Sequence, residues 1–278
     1  MNMKEYLNRP FSLVGMILIK LAAVLTVGIM VFIVLYILVK GIPNITPDLF
    51  AWEYNTDNVS MLPSIINTLY MTALTLLFAV PIGIFSAVYL VEYSKRGSKL
   101  VKLIRLTTET LAGIPSIVFG LFGFLAFVIA LGWGYSLIAG ALTLAIMVLP
   151  TIIRTTEEAL LAVPDTYREG SYGLGAGKLR TIFRIIVPTA MPGIIAGVIL
   201  AIGRIVGETA ALIFTAGTMA AVPGSLLDSA RTLAVHMYCL LSEGLYTEQA
   251  YATAVILLVV VIGINALSNF VAKRISKI

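Results

Sequence analysis

Arg204 and Glu208 are the residues whose placement most needs a chemical reason. They are the only charges in the run Ile185 to Leu227. A helix crossing a membrane takes about 20 apolar residues, and a charge near its centre costs roughly 2.5–3.5 kcal/mol. Counted at about 1.5 Å per residue from Ile194, Arg204 lies near the midplane. That cost points to a cavity or a protein interface rather than lipid. On one continuous helix, residues four apart share a face, so both side chains are expected to project the same way. A guanidinium there can grip an anion through charge and paired N–H groups. A carboxylate there can accept a proton from one. Equally, the two can neutralise each other as an internal ion pair that locks the helix or shuts a gate.

Other groups carry less. Ser116 lies among Gly113, Pro115, Gly120 and Gly123. Small residues let helices approach closely, and a proline frees a carbonyl that can face a cavity. Packing with a kink therefore competes with substrate contact there. Glu157 and Glu158 are sequence neighbours, so a helix points them apart and they make a poor acid–base pair. His236 and Cys239 are the single histidine and the single cysteine. Two side chains fall short of the three or four ligands a zinc site uses, and one cysteine excludes an intrachain disulfide. No metal and no cofactor is expected. Gly173-Leu-Gly-Ala-Gly-Lys178 ends like a P-loop, but Tyr172 and Leu179 stand where that loop needs glycine and Ser or Thr. The chain is not expected to hydrolyse ATP itself.

The elements that must position these residues follow from composition. Of 278 residues, 59% are apolar and only 12% charged, against roughly 25% charged in a soluble domain. This excludes a disordered chain, a coiled coil and an ordinary soluble enzyme. Long apolar runs rather than alternating ten-residue segments imply helices, not a β-barrel. Six spans are expected, near residues 13–39, 65–91, 111–131, 136–153, 190–216 and 250–272, in one transmembrane domain covering 1–278. The break between the third and fourth falls at Gly132-Trp133-Gly134-Tyr135. Basic residues cluster at Lys95, Arg96, Lys99, Lys102 and Arg105, again from Arg154 to Arg184, and at Lys273, Arg274 and Lys277. The intervening loops hold Asp48, Glu53 and Asp57, or Glu243 and Glu248. By the positive-inside rule both termini are cytosolic; Lys20 is the exception. The loop 154–188 is then cytosolic and 218–249 external. Phe50, Trp52 and Tyr54 suit either an interfacial anchor or an external partner.

The cytosolic loop reads Glu169-Gly170-Ser171, three residues, Gly175, nine residues, then Ile185 and Val187-Pro188. This resembles the EAA loop of ABC-importer permeases, with Gly and Ser for two alanines and Val for Leu. Pro164 and Asp165 suit a helix start, and Gly175 and Gly177 permit a sharp reversal. An amphipathic helix lying on headgroups is the plainer alternative. The resemblance widens with Pro81 to Tyr93, Leu111 to Gly123, Met147 to Glu158 and Gly203 to Ala211. Together these are similar to the permeases of phosphate ABC importers. Arg231-Thr-Leu favours the PstA type over the PstC type.

That resemblance implies an all-α, six-helix permease of the type I ABC importer fold, multi-pass in the inner (cytoplasmic) membrane. It implies a PstC-like permease as heterodimer partner, a dimer of ATP-binding subunits and an external phosphate-binding protein. ATP would be bound by the partner subunit. No nucleic acid is expected, and membrane lipids surround the chain. Glu169, Gly170, Ser171 and Gly175 would couple to the ATPase. Arg204, Glu208, Thr209 and Ser116 would line the phosphate route, where a carboxylate can accept the proton that phosphate carries and sulfate lacks. Permeation of sulfate, molybdate or phosphonate is the nearest rival reading. A gradient-driven transporter is a further one, but it leaves the EAA spacing without a purpose. A membrane enzyme lacks any HExxH motif or nucleophile with an adjacent base.

Overall fold

The computed structural model describes residues 10–94 and 98–275. Lys95, Arg96 and Lys277 lie outside the described residues, as do the side chains of Lys273 and Arg274. The described residues form helices and no strand. Five helices are long and apolar enough to cross a membrane, and a pair bent by 103°, Val101–Ala112 with Ser116–Ala130, would be a sixth only if taken as one span.

Helix α1, Pro10–Gly41, is exposed along its length. It meets the body near its end, where Tyr36 packs edge-on against Tyr251 and Gly41 lies against Tyr251 and Val255. Helix α2, Leu62–Val88, retains Pro81 and ends in a π-helical turn, Tyr89–Tyr93. Helix α3, Lys99–Ala112, is followed by α4, Ser116–Gly123, which a π-helical stretch extends to Ala130. Helix α5, Leu137–Leu161, is the axis of the fold and packs on α2, α3 and α4. Its residues Leu144, Met147, Val148 and Ile152 are sealed from solvent in the main core.

Two short helices follow, α6, Asp165–Gly173, and α7, Lys178–Thr181, within the loop expected to be cytosolic. A π-helical turn then leads into α8, Val187–Val206, with Pro188 in its first turn, where the missing N–H costs nothing. Helix α9, Ala210–Thr215, α10, Leu233–Glu243, and α11, Thr247–Ile275, complete the chain.

Two places differ from the expected spans. The third does not start at residue 111: at Gly113–Pro115 the chain turns by 103°, so α3 lies across α4 rather than extending it. Pro115 opens α4 instead of kinking a longer helix. The fifth is not one helix to residue 216, because α8 stops at Val206 and α9 begins anew at Ala210. Helix α10 packs one face, Leu233, Ala234, Val235, His236 and Leu240, toward α2, α9 and α11, and leaves Tyr238 and Leu241 exposed.

The outer loop also closes the top of α5. The first N–H groups of a helix have no partner within it. Here the Leu137 and Ile138 N–H groups donate to Asp228 and Leu226 carbonyls at 2.9 and 3.0 Å. Ser136 Oγ accepts from Ala139.

Candidate functional site

The break between α8 and α9 changes how Arg204 and Glu208 relate. Arg204 sits in the last turn of α8, half-buried. Glu208 lies past its end, buried, and its Oε1 accepts the Ala211 N–H at 3.1 Å. The shared helix face expected from four-residue spacing is therefore absent. Among the described residues no ion pair joins the two. Each is instead stabilised by a separate helix end: a cation suits the negative C-terminal pole of α8, and a carboxylate suits the positive N-terminal pole of α9. Two opposite charges thus stand on either side of a membrane-embedded helix break without cancelling each other.

Glycine contacts fix how α4 meets this break. A Cβ on Gly120 would sit 2.8 Å from Ala211 Cα, and one on Gly123 2.8 Å from Thr215 Cγ2. Contacts advancing by similar steps on both helices mean that α4 and α9 run parallel. Ser116 opens α4 and Thr209 directly precedes α9, and both are half-buried. Glu208 lies beside Thr209 in the break and Arg204 in the last turn of α8, and among the described residues no hydrogen bond or ion pair joins Ser116 to any of them. A cavity of about 540 Å³ lies away from this break, between α2 and the loop before α10, lined by Tyr70, Leu74, Leu77, Pro223 and Leu226. Its walls are apolar and offer little to a charged solute.

The hairpin that carries the EAA-like residues is built by α6 and α7. Gly175 turns between them at φ +79°, a conformation that costs a Cβ-bearing residue. Ser171 Oγ and Thr181 Oγ1 are 2.8 Å apart and buried, pinning α6 to α7. Glu169, Gly170 and Gly175 are exposed, whereas Ser171 faces inward. Exposed Tyr167, Tyr172, Leu174 and Leu179 leave the tip apolar, with Leu174 91% accessible.

A residue that sequence reasoning counted only as a loop base anchors this hairpin. Arg168 donates from Nε and Nη2 to Glu92 Oε1 at 3.0 and 2.7 Å, and to the Leu160 and Val163 carbonyls at 3.1 and 2.9 Å. It also meets Asp165 at 3.2 Å. The ion pair is largely buried, at 15% and 6% side-chain exposure. One guanidinium therefore ties α6 to the ends of both α2 and α5. No sequence signal pointed to this pairing, because Lys95 and Arg96 stand much nearer to Glu92 in the chain. Glu157 and Glu158 do point apart: Glu157 pairs with Arg105 of α3, and Glu158 with Arg154.

At the opposite end of the helices Tyr54 packs edge-on against His236, and the Arg231 guanidinium lies 4.7 Å over the Tyr54 ring. Burial and the Arg231 charge push the His236 imidazole down to about 3. Cys239 is half-buried. No group of three His, Cys, Asp or Glu side chains able to hold a metal occurs among the described residues. Phe50 and Trp52 remain exposed.

Residues 79–277 match the family described as the inner membrane component of binding-protein-dependent transport systems. The chain belongs to that family. It is 32% identical over 280 residues to a probable ABC transporter permease, YqgI, of Bacillus subtilis, covering 92% of this chain and 93% of that protein. It is 38% identical over 213 residues to the phosphate transport system permease PstA 1 of Mycobacterium tuberculosis, covering 74% and 69%. Similarity to the PstA of Haemophilus influenzae is 36% over 191 residues, 66% of each chain. Among solved structures, a chain of a bacterial alginate ABC transporter superposes with TM-score 0.70 at 17% identity, covering 100% of this chain and 99% of that one. A chain of the inward-facing MetNI methionine ABC transporter gives 0.64 at 20% identity, covering 77% and 95%. At such identities the likeness shows the fold. The protein is an all-helical inner membrane permease of the type I ABC importer fold.

Proposed function

We propose that this permease forms half of the pathway of an ATP-driven importer of inorganic phosphate. The observation that carries the substrate is the uncancelled pair at the α8–α9 break. Arg204 supplies a guanidinium matched to phosphate oxygens. Glu208 spends Oε1 on the Ala211 N–H, which leaves Oε2 to accept the proton of hydrogen phosphate. Sulfate, having no such proton, meets a bare carboxylate and is repelled. Ser116 and Thr209, at the starts of the neighbouring helices α4 and α9, would add hydroxyls. The PstA relatives support this reading, although the family also contains permeases whose names give no substrate.

Other features support the partners. The exposed flank of α1 and the half-open break fit a second, PstC-like permease completing the pathway. The apolar hairpin tip around Glu169, Gly170 and Gly175 fits docking to an ATP-binding subunit, which would hold the ATP and do the hydrolysis. A phosphate-binding protein would deliver substrate outside. Motion of the ATPase dimer would reach α2 and α5 through the Arg168–Glu92 contact and bias a two-state packing of the spans.

Uptake of radiolabelled phosphate by a bacterial strain without its own phosphate importers tests this, with the chain co-expressed with its native neighbours. Uptake should need this chain and ATP, ignore excess sulfate, and fall on Glu169→Ala. An assembled complex with no chain-dependent phosphate uptake would leave the architecture and reject the substrate.

A further inference from the structure

We infer that α3 is an in-plane helix that seats the inner end of the third span on anionic phospholipid headgroups of the cytosolic leaflet. The inference is independent of which substrate crosses. Its geometry comes first: the axis of 101–112 turns 103° from that of 116–130. If α4 crosses the bilayer, α3 must run along its plane. The level is set by Arg105, which pairs with Glu157 near the hairpin end of α5, the end that leads into α6.

The faces of α3 then sort by chemistry. At about 100° per residue, Val101, Ile104 and Thr108 share the side turned to the body; Val101 is buried and the other two half-buried. Leu103 and Leu106 turn outward, 59% and 61% exposed, although nothing in this chain covers them. Lys99 and Lys102 are exposed as well and make no ion pair among the described residues. The helix holds three bases against one acid, Glu109, and Lys95 and Arg96 precede it in sequence. Exposed leucines beside unpaired lysines are the pattern of an interfacial helix, and lysine stems can lie along acyl chains while their ammonium groups reach phosphate. Charge selects the leaflet lipid: each lysine favours an anionic surface by about 1 kcal/mol, roughly five-fold. Gly113–Pro115 joins this seat directly to Ser116, so headgroup contact would fix the lower pivot of a pathway helix.

The test uses the whole reconstituted transporter carrying Cys239→Ser and a bimane fluorophore at Leu103→Cys. Vesicles contain phosphatidylcholine and phosphatidylglycerol, with bromine on one lipid or the other. Brominated phosphatidylglycerol should quench several-fold better than brominated phosphatidylcholine, and Lys99→Gln with Lys102→Gln should remove the preference. Equal quenching by both lipids in the unsubstituted helix would overturn the headgroup claim. Quenching by neither lipid would overturn it too: with no quenching by aqueous iodide, the second permease covers this face, and with strong iodide quenching, the helix stands in the cytosol.

Discussion

Replacing Glu208 separates the helix cap that the structure shows from the proton-reading role proposed for the same side chain. Its Oε1 holds the first turn of α9 through the Ala211 N–H, and its charge is proposed to read the proton on the substrate. Glu208→Ala removes both. The lost cap costs about 1 kcal/mol of local helix stability, so the assembled complex should melt earlier. Glu208→Gln keeps a carbonyl oxygen for the cap and removes the charge. Its stability should stay near that of the parent. A charge-assisted hydrogen bond is worth roughly 1.5–3 kcal/mol. At about 1.36 kcal/mol per tenfold, the glutamine variant should therefore lose roughly 10- to 150-fold in phosphate transport efficiency. The assay is radiolabelled uptake, with assembly verified by co-purification of the partner subunits and with sulfate as competitor. The glutamine variant should also discriminate less well against sulfate. A Glu208→Gln complex that assembles, transports at the parental rate and still excludes sulfate would refute the proton-reading role and leave Glu208 as a helix cap alone.

Three further outcomes follow from buried geometry. Arg168→Ala leaves the Glu92 carboxylate, 6% exposed, without its counter-ion; breaking such a pair costs about 3–5 kcal/mol. Thermal unfolding should shift accordingly and phosphate should no longer stimulate the ATPase, whereas a shift worth under about 1 kcal/mol would contradict a buried pair. Gly123→Ala drives a Cβ into Thr143 and to 2.8 Å from Thr215, so overpacking should cost about 1–3 kcal/mol in the same melt. His236 is held down to about 3 by burial and by Arg231, with Tyr54 on its other side. The unfolded chain therefore binds this proton first. The stabilising contribution is whole above about pH 6.5 and drains away toward pH 3, at up to about 1.4 kcal/mol per pH unit. Melting temperatures taken from neutral pH down to about pH 5 should fall, and His236→Phe should flatten that slope.

The helical class was legible because lipid thickness leaves few alternatives: uncharged runs such as Leu21 to Val39 and Thr110 to Ile153 can only be buried or cross. Helix continuity was not legible, for the same reason. Once every segment is apolar, hydropathy no longer marks where one helix stops and another starts. Only local backbone chemistry does. Gly207 before Glu208 and Thr209, and Gly113 before Pro115, were both visible as punctuation. Yet a glycine or proline inside a transmembrane helix is tolerated often enough that neither compelled a break. The cost of that ambiguity fell on the chemistry. Treating residues 190–216 as one helix made Arg204 and Glu208 neighbours on a face and an ion pair a natural alternative. Ending α8 at Val206 gives each charge its own helix pole and leaves both available to a third party. The Arg168–Glu92 contact lay beyond reach for a different reason: its partners are 76 residues apart, and no periodicity spans the three helices, α3, α4 and α5, that lie between them. Local spacing therefore located the membrane-embedded charges and the hairpin, while tertiary packing decided which of their charges are already satisfied and which remain to bind something else.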